Sequence, residues 1–204
     1  MKTILILLFL SLGLAWSQKY ELIPCPKPLL RGEVEGQTIE CGMLSVPEFH
    51  SKRFGKKLKL AVLILKSASQ SKRADPIIYL QGGPGGAALE TVSTWQNMPW
   101  RKERDIILVD QRGTGYSEPD LRCPEMYDYF DFLLGIEECQ SRLSRHVDLQ
   151  AFNSHENAAD IDLLRKSLGY KEVNLFGVSY GTRLALTVMR DYPKGIRSVI
   201  LDSV

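Results

Sequence analysis

Hydrophobic positions in this chain follow two different rules, and the change comes at Pro76. Before it, Thr38–Val46 and Leu58–Lys66 read as strands, the second setting Leu58, Leu60, Val62 and Ile64 on one face. The basic, glycine-containing stretch Ser51–Lys57 between them predicts an antiparallel hairpin. From Pro76 onward the apolar segments are short and almost unbroken: Pro76–Leu80, Asp105–Val109, Glu172–Phe176 and Ser198–Leu201. Runs of that kind fit strands covered on both faces. Helical spacing lies between them. Asn153 with Glu156 three residues on is a capping signal, Ala158, Ile161, Leu164 and Leu168 follow at three- and four-residue intervals, and Gly169 stops the helix. Thr182–Tyr192 reads as a second helix burying Leu184, Ala185, Val188 and Tyr192, ended by Pro193. Cys123–His146 reads as helical with a weaker pattern. A hairpin followed by alternating strands and helices predicts an α/β domain with a mostly parallel sheet.

Composition narrows the function. At 204 residues the chain can bury one full domain core. A formal net charge of +2 gives no electrostatic case for a nucleic acid partner. The basic clusters Lys52–Lys57 and Lys66–Arg73 flank the apolar run Leu58–Leu65 and read as solvated turns at strand ends.

Residues 1–17 read as a signal peptide. Lys2 supplies the positive start, Ile4–Leu14 the apolar segment, and Ala15-Trp16-Ser17 a small-x-small cleavage site before Gln18. The apolar segment is shorter than the ~20 residues a membrane span needs, so the expectation is an exported protein without a stable membrane span. Four cysteines fit an oxidising compartment. None stands in a C-x-x-C pair, so neither a metal site nor a redox motif is expected. Of the three possible pairings, Cys25–Cys41 with Cys123–Cys139 closes two short loops and is preferred.

Three motifs carry chemistry, each at the carboxyl end of an expected strand, where ligands of such sheets bind. Gly177-Val178-Ser179-Tyr180-Gly181 joins a strand to a helix and reads as a nucleophile elbow, a tight turn that lifts the Ser179 hydroxyl clear of the sheet. Gln81-Gly82-Gly83-Pro84-Gly85-Gly86 leaves backbone N–H groups uncovered. The Gly83 N–H first, Gly82 second, is the candidate to join the Tyr180 N–H in an oxyanion hole. A phosphate loop would need Gly-Lys-Ser/Thr, which is absent. In Asp110-Gln111-Arg112-Gly113-Thr114-Gly115-Tyr116-Ser117, Asp110 and Arg112 are expected to pair or hydrogen-bond and so brace the loop beside the site. Ser117 lacks the elbow setting.

In order and spacing these motifs resemble the α/β-hydrolase superfamily, and within it the prolyl and secreted tripeptidyl aminopeptidase branch of its serine peptidases. Gln81 stands where prolyl aminopeptidases usually carry histidine, which shifts the likeness toward the tripeptidyl members. The resemblance implies an α/β-hydrolase fold with no cofactor and a peptide substrate, cleaved through an acyl-enzyme on Ser179 to release short N-terminal peptides or single residues. It leaves oligomeric state open. It also implies a triad running serine, acid, histidine along the chain, whereas His50, His146 and His155 all precede Ser179. Asp202 stands where some α/β-hydrolases place their acid but earlier than this family's, and Asp191, toward the far end of the helix, reads as a solvated surface charge. The expectation is that residues 18–204 form the N-terminal part of the hydrolase domain, cut before the cap and the last strands and inactive alone. Two alternatives stay open: a non-catalytic binding fragment, and an esterase or lipase on the same scaffold.

Overall fold

In the computed structural model, residues 20–26, 31–52, 54–128 and 131–204 are described. The expected signal segment, residues 1–17, and its cleavage point at Gln18 lie outside them. Seven strands form one sheet: β1 (Tyr20–Leu22), β2 (Ile39–Pro47), β3 (Lys57–Leu65), β4 (Ile77–Leu80), β5 (Ile106–Val109), β6 (Val173–Val178) and β7 (Ile196–Asp202). Among the described residues five α-helices accompany them: α1 (Val92–Gln96), α2 (Glu125–Asp128), α3 (Phe132–Ser144), α4 (Ser154–Ser167) and α5 (Tyr180–Asp191).

The sheet order is β1-β2-β3-β5-β4-β6-β7. The hairpin β2–β3 is antiparallel and extends on one side to β1, a three-residue strand too short for its sequence to announce. The strands from β5 to β7 run parallel. All four residues of β4 and of β5 are buried, as continuous apolar runs require when both sheet faces are covered. On one face Leu58, Leu60, Val62 and Ile64 of β3 join Ile78 and Leu80 beneath Ile161 and Leu164 of α4 and Leu184 and Val188 of α5. The alternate residues Ala61, Leu63 and Leu65 face the other side, with Tyr79 and Leu108 under Leu89, Val92 and Trp95.

The helix ends follow their residues. Asn153 is the N-cap of α4, its side chain accepting from the Glu156 N–H at 3.0 Å. Gly169, at φ 78°, ends that helix. Cys25 is bonded to Cys41 and Cys123 to Cys139, the pairing expected from loop length. The first bridge ties the segment after β1 onto β2, and the second fastens the approach to α2 onto α3. Among the described residues no helix is long and apolar enough to cross a membrane.

Candidate active site

Register brings the motifs together. Leu80, the last residue of β4, is paired with Gly177 of β6, and Val178 with Asp202 of β7. The glycine-proline loop and the elbow therefore leave the sheet at one level, side by side.

Ser179 sits between β6 and α5 at φ 52°, ψ −122°. Left-handed φ is uncommon for a residue with a Cβ and costs on the order of 1–3 kcal/mol, held only where the surroundings enforce it. Here they do. The Ser179 N–H donates to the Asp202 carbonyl at 2.9 Å, and its own carbonyl accepts from the Thr182 N–H at 2.9 Å and the Thr182 hydroxyl at 2.7 Å. Gly181 has no room for a Cβ, which would run into the Leu80 carbonyl oxygen. The outcome is an exposed serine on top of the sheet, at the positive end of the α5 dipole.

The glycine-proline loop backs directly onto it. A methyl group at Gly82 would stand 3.0 Å from Ser179 Cβ and 3.5 Å from its Oγ. Gly82 is buried whereas Gly83, at φ 120°, is exposed. The Gly82 N–H is already used, donating to Gln81 Oε1 at 2.9 Å. Among the described residues the N–H groups of Gly83 and Tyr180 make no hydrogen bond. Tyr180 directs its hydroxyl to Ser154 Oγ at 2.9 Å, which fixes the ring beside the N-terminus of α4.

The expected pairing of Asp110 with Arg112 is not found. Asp110 is fully buried and accepts backbone N–H groups, from Leu89 to Oδ1 and from Tyr116 to Oδ2, each at 2.9 Å. Burial pushes its carboxyl above the usual range, against the pull of the Leu89, Tyr116 and Ala88 N–H groups. Arg112 turns the other way, to Asp160 on α4. Two residues apart on the loop after β5, the two side chains brace different neighbours. Ser117 is buried, its hydroxyl donating to the Asp110 carbonyl at 2.6 Å.

No histidine is placed at Ser179. His50 joins Asp160 at 2.7 Å, so it clasps the β2–β3 turn to α4. His155 is exposed and bonded to Asp191 at 3.1 Å. His146 is exposed just beyond the end of α3. Asp191 is held down at about 2 by the adjacent Arg190 and, more weakly, by His155, so it belongs to a surface ion pair. The Asp202 side chain lies at the exposed end of β7; burial of the Tyr79 phenol and, after it, the charge of Asp202 push that hydroxyl above its usual range. A cavity of about 610 Å³ beside Cys123, walled by Asp120, Arg122, Tyr127 and Arg142 among others, does not include Ser179.

Residues 75–204 match the family described as the alpha/beta hydrolase fold. The chain belongs to that family. Among its relatives, the tripeptidyl aminopeptidase of Streptomyces lividans is 31% identical over 192 residues, covering 81% of this chain and 35% of the relative. The serine protease Hip1 of Mycobacterium tuberculosis is 27% identical over 207 residues, covering 91% of this chain and 39% of the relative. The crystal structure of proline iminopeptidase from Mycobacterium smegmatis superposes with a TM-score of 0.48 at 18% identity, over 77% of this chain and 42% of that one. The chain thus spans little more than a third of the length of these curated relatives. The matched span includes both the turn at Ser179 and the loop after β4.

Proposed function

We propose that this chain carries the nucleophile and the oxyanion-binding loop of an exported serine aminopeptidase that releases short N-terminal peptides or residues. The observation that carries the reading is the exposed Ser179, held at φ 52° with Gly82 against its Cβ. In the proposed reaction Ser179 Oγ bonds to the scissile carbonyl carbon as its proton passes to a base. The carbonyl oxygen takes the negative charge and rests on the Tyr180 and Gly83 N–H groups. Collapse expels the amine, which takes up that proton, and water then hydrolyses the acyl-enzyme.

The base and its acid are proposed to lie outside the described residues, because the three histidines here are engaged or displaced elsewhere. Residues 18–204 would then be the first part of the catalytic domain. The names of the relatives support a peptide over an ester as substrate. Two disulfides support an oxidising destination, with residues 1–17 proposed as the export signal.

The test uses the full-length gene product. A fluorophosphonate probe should label a peptide containing Ser179, and Ser179→Ala should abolish both labelling and release of nitroaniline from tripeptidyl-nitroanilides. Labelling that survives Ser179→Ala defeats the proposal. Turnover of p-nitrophenyl esters with none of peptidyl-nitroanilides would replace the peptidase reading by an esterase one.

A further inference from the structure

The residue in front of the glycine pair is more tightly held than a loop residue needs to be. Gln81 Oε1 accepts from the Tyr79 hydroxyl at 2.5 Å and from the Gly82 N–H at 2.9 Å. Its main-chain carbonyl accepts from Gln111 Nε2 at 2.9 Å, so the loop after β5 holds it from behind. The amide orientation is not arbitrary. The Gly82 N–H can only donate, so the oxygen of the Gln81 carboxamide must face it, and the phenol must then be the second donor. Tyr79 is buried, with its ring 4.4 Å from that of Trp95 between centroids, so the phenol that anchors Gln81 is anchored itself.

The arrangement has a chemical effect one atom away from the reaction. Gly82 lies against Ser179 Cβ, yet its N–H is turned into the Gln81 side chain and is withdrawn from any ligand at the serine. The next N–H, that of Gly83, makes no hydrogen bond among the described residues. A rigid loop matters because donors must sit in place before charge develops.

We propose that Tyr79 and Gln81 are positioning residues that lock the Gly82 amide away from substrate and so select the Gly83 amide as the loop's oxyanion donor. This rests on the serine hydrolase reading above. A position that holds a donor should act on the transition state and leave ground-state binding alone.

The experiment compares Tyr79→Phe and Gln81→Met with the wild-type full-length protein. The first removes one oxygen and keeps the ring on Trp95. The second keeps side-chain length and removes the acceptor. For each variant kcat and KM are measured on a peptidyl-nitroanilide, with the Ki of a peptide boronate, the Kd of a product peptide and the melting temperature. Expected is a fall in kcat of roughly tenfold or more, since small misplacements near a reacting centre are costly. KM and product Kd should stay within twofold, and the boronate Ki should rise by the factor that kcat/KM falls.

Variants labelled at Ser179 with kcat/KM within twofold of wild type would overturn the inference and leave the hydrolase reading standing. Equal losses in kcat, boronate affinity and product affinity with a lowered melting temperature would also overturn it, in favour of a merely structural role. Failure of the wild type to label at Ser179 would remove the hydrolase reading first, and this inference with it.

Discussion

Arg112 and Asp160 lie 48 positions apart and meet in a two-pronged ion pair, Nε to Oδ2 and Nη2 to Oδ1, each at 2.8 Å, with side chains 0% and 1% exposed. The remaining guanidinium N–H groups donate to the carbonyls of Glu48 and Ala151 at 2.8 Å and of Pro47 at 3.2 Å. All five donors of the guanidinium are thereby satisfied. On the other side Asp160 also bonds His50, and the His50 N–H donates to the buried Glu156 at 2.8 Å. The end of β2, the loop after β5 and the helix α4 are joined at one charged knot.

Breaking that knot from one side is expected to be severe. Asp160→Ala leaves a buried guanidinium without its counter-charge and should cost about 3–5 kcal/mol, read as a lower urea midpoint. Arg112→Lys should fail to restore stability, because an ammonium offers three donors without the planar fork.

Asp110 predicts a pH dependence. Its folded carboxyl titrates above the unfolded value of about 3.9, so the folded state holds the proton longer. Stability should therefore fall as pH rises from about 4 through the raised value, then level off. Asp110→Asn should abolish that slope, and urea midpoints taken at a series of pH values would show it. The same variant should be less stable overall by about 1–3 kcal/mol, because an amide NH₂ would face either the Leu89 or the Tyr116 N–H.

Gly82→Ala should separate fold from reactivity. The added methyl meets the Val178 carbonyl oxygen at 2.9 Å and Ser179 Cβ at 3.0 Å, so loop or serine must shift. Displacement by a few tenths of an ångström should leave circular dichroism native and reduce fluorophosphonate labelling by about tenfold, short of the roughly hundredfold that a misplacement of about 1 Å costs. Labelling at the wild-type rate would mean that the loop does not constrain the serine.

Each disulfide should contribute about 3 kcal/mol, the chain-entropy value for a loop of this size. Cys25→Ser with Cys41→Ser, and Cys123→Ser with Cys139→Ser, should lower the urea midpoint by similar amounts. Their combined loss should be near the sum, since the two loops share no residue.

Much of this was legible in the chain because the signals are local. The unbroken apolar runs of β4 and β5, the Asn153 cap and the elbow each declare themselves within a few residues. What escaped is built across distance. Nothing near Arg112 points to Asp160, and nothing near His50 distinguishes a surface imidazole from one clasping a buried carboxylate. The close spacing of Asp110 and Arg112 suggested a partnership that the loop geometry refuses. Gln81 is an unusual residue at its place in the motif, but its hold on the Gly82 N–H depends on a phenol whose direction only the packed sheet decides.

Both sulfur bridges span 16 positions along the chain, and neither crosses from one sheet face to the other through distant sequence. Oxidation can therefore be completed within each short segment as it emerges, with no wait for remote strands to arrive and little opportunity for the four thiols to exchange partners. Assembly of the sheet beneath Ser179 is left to the non-covalent ladder of strands and to the guanidinium knot, so a reductant should loosen its margins well before it reaches the serine.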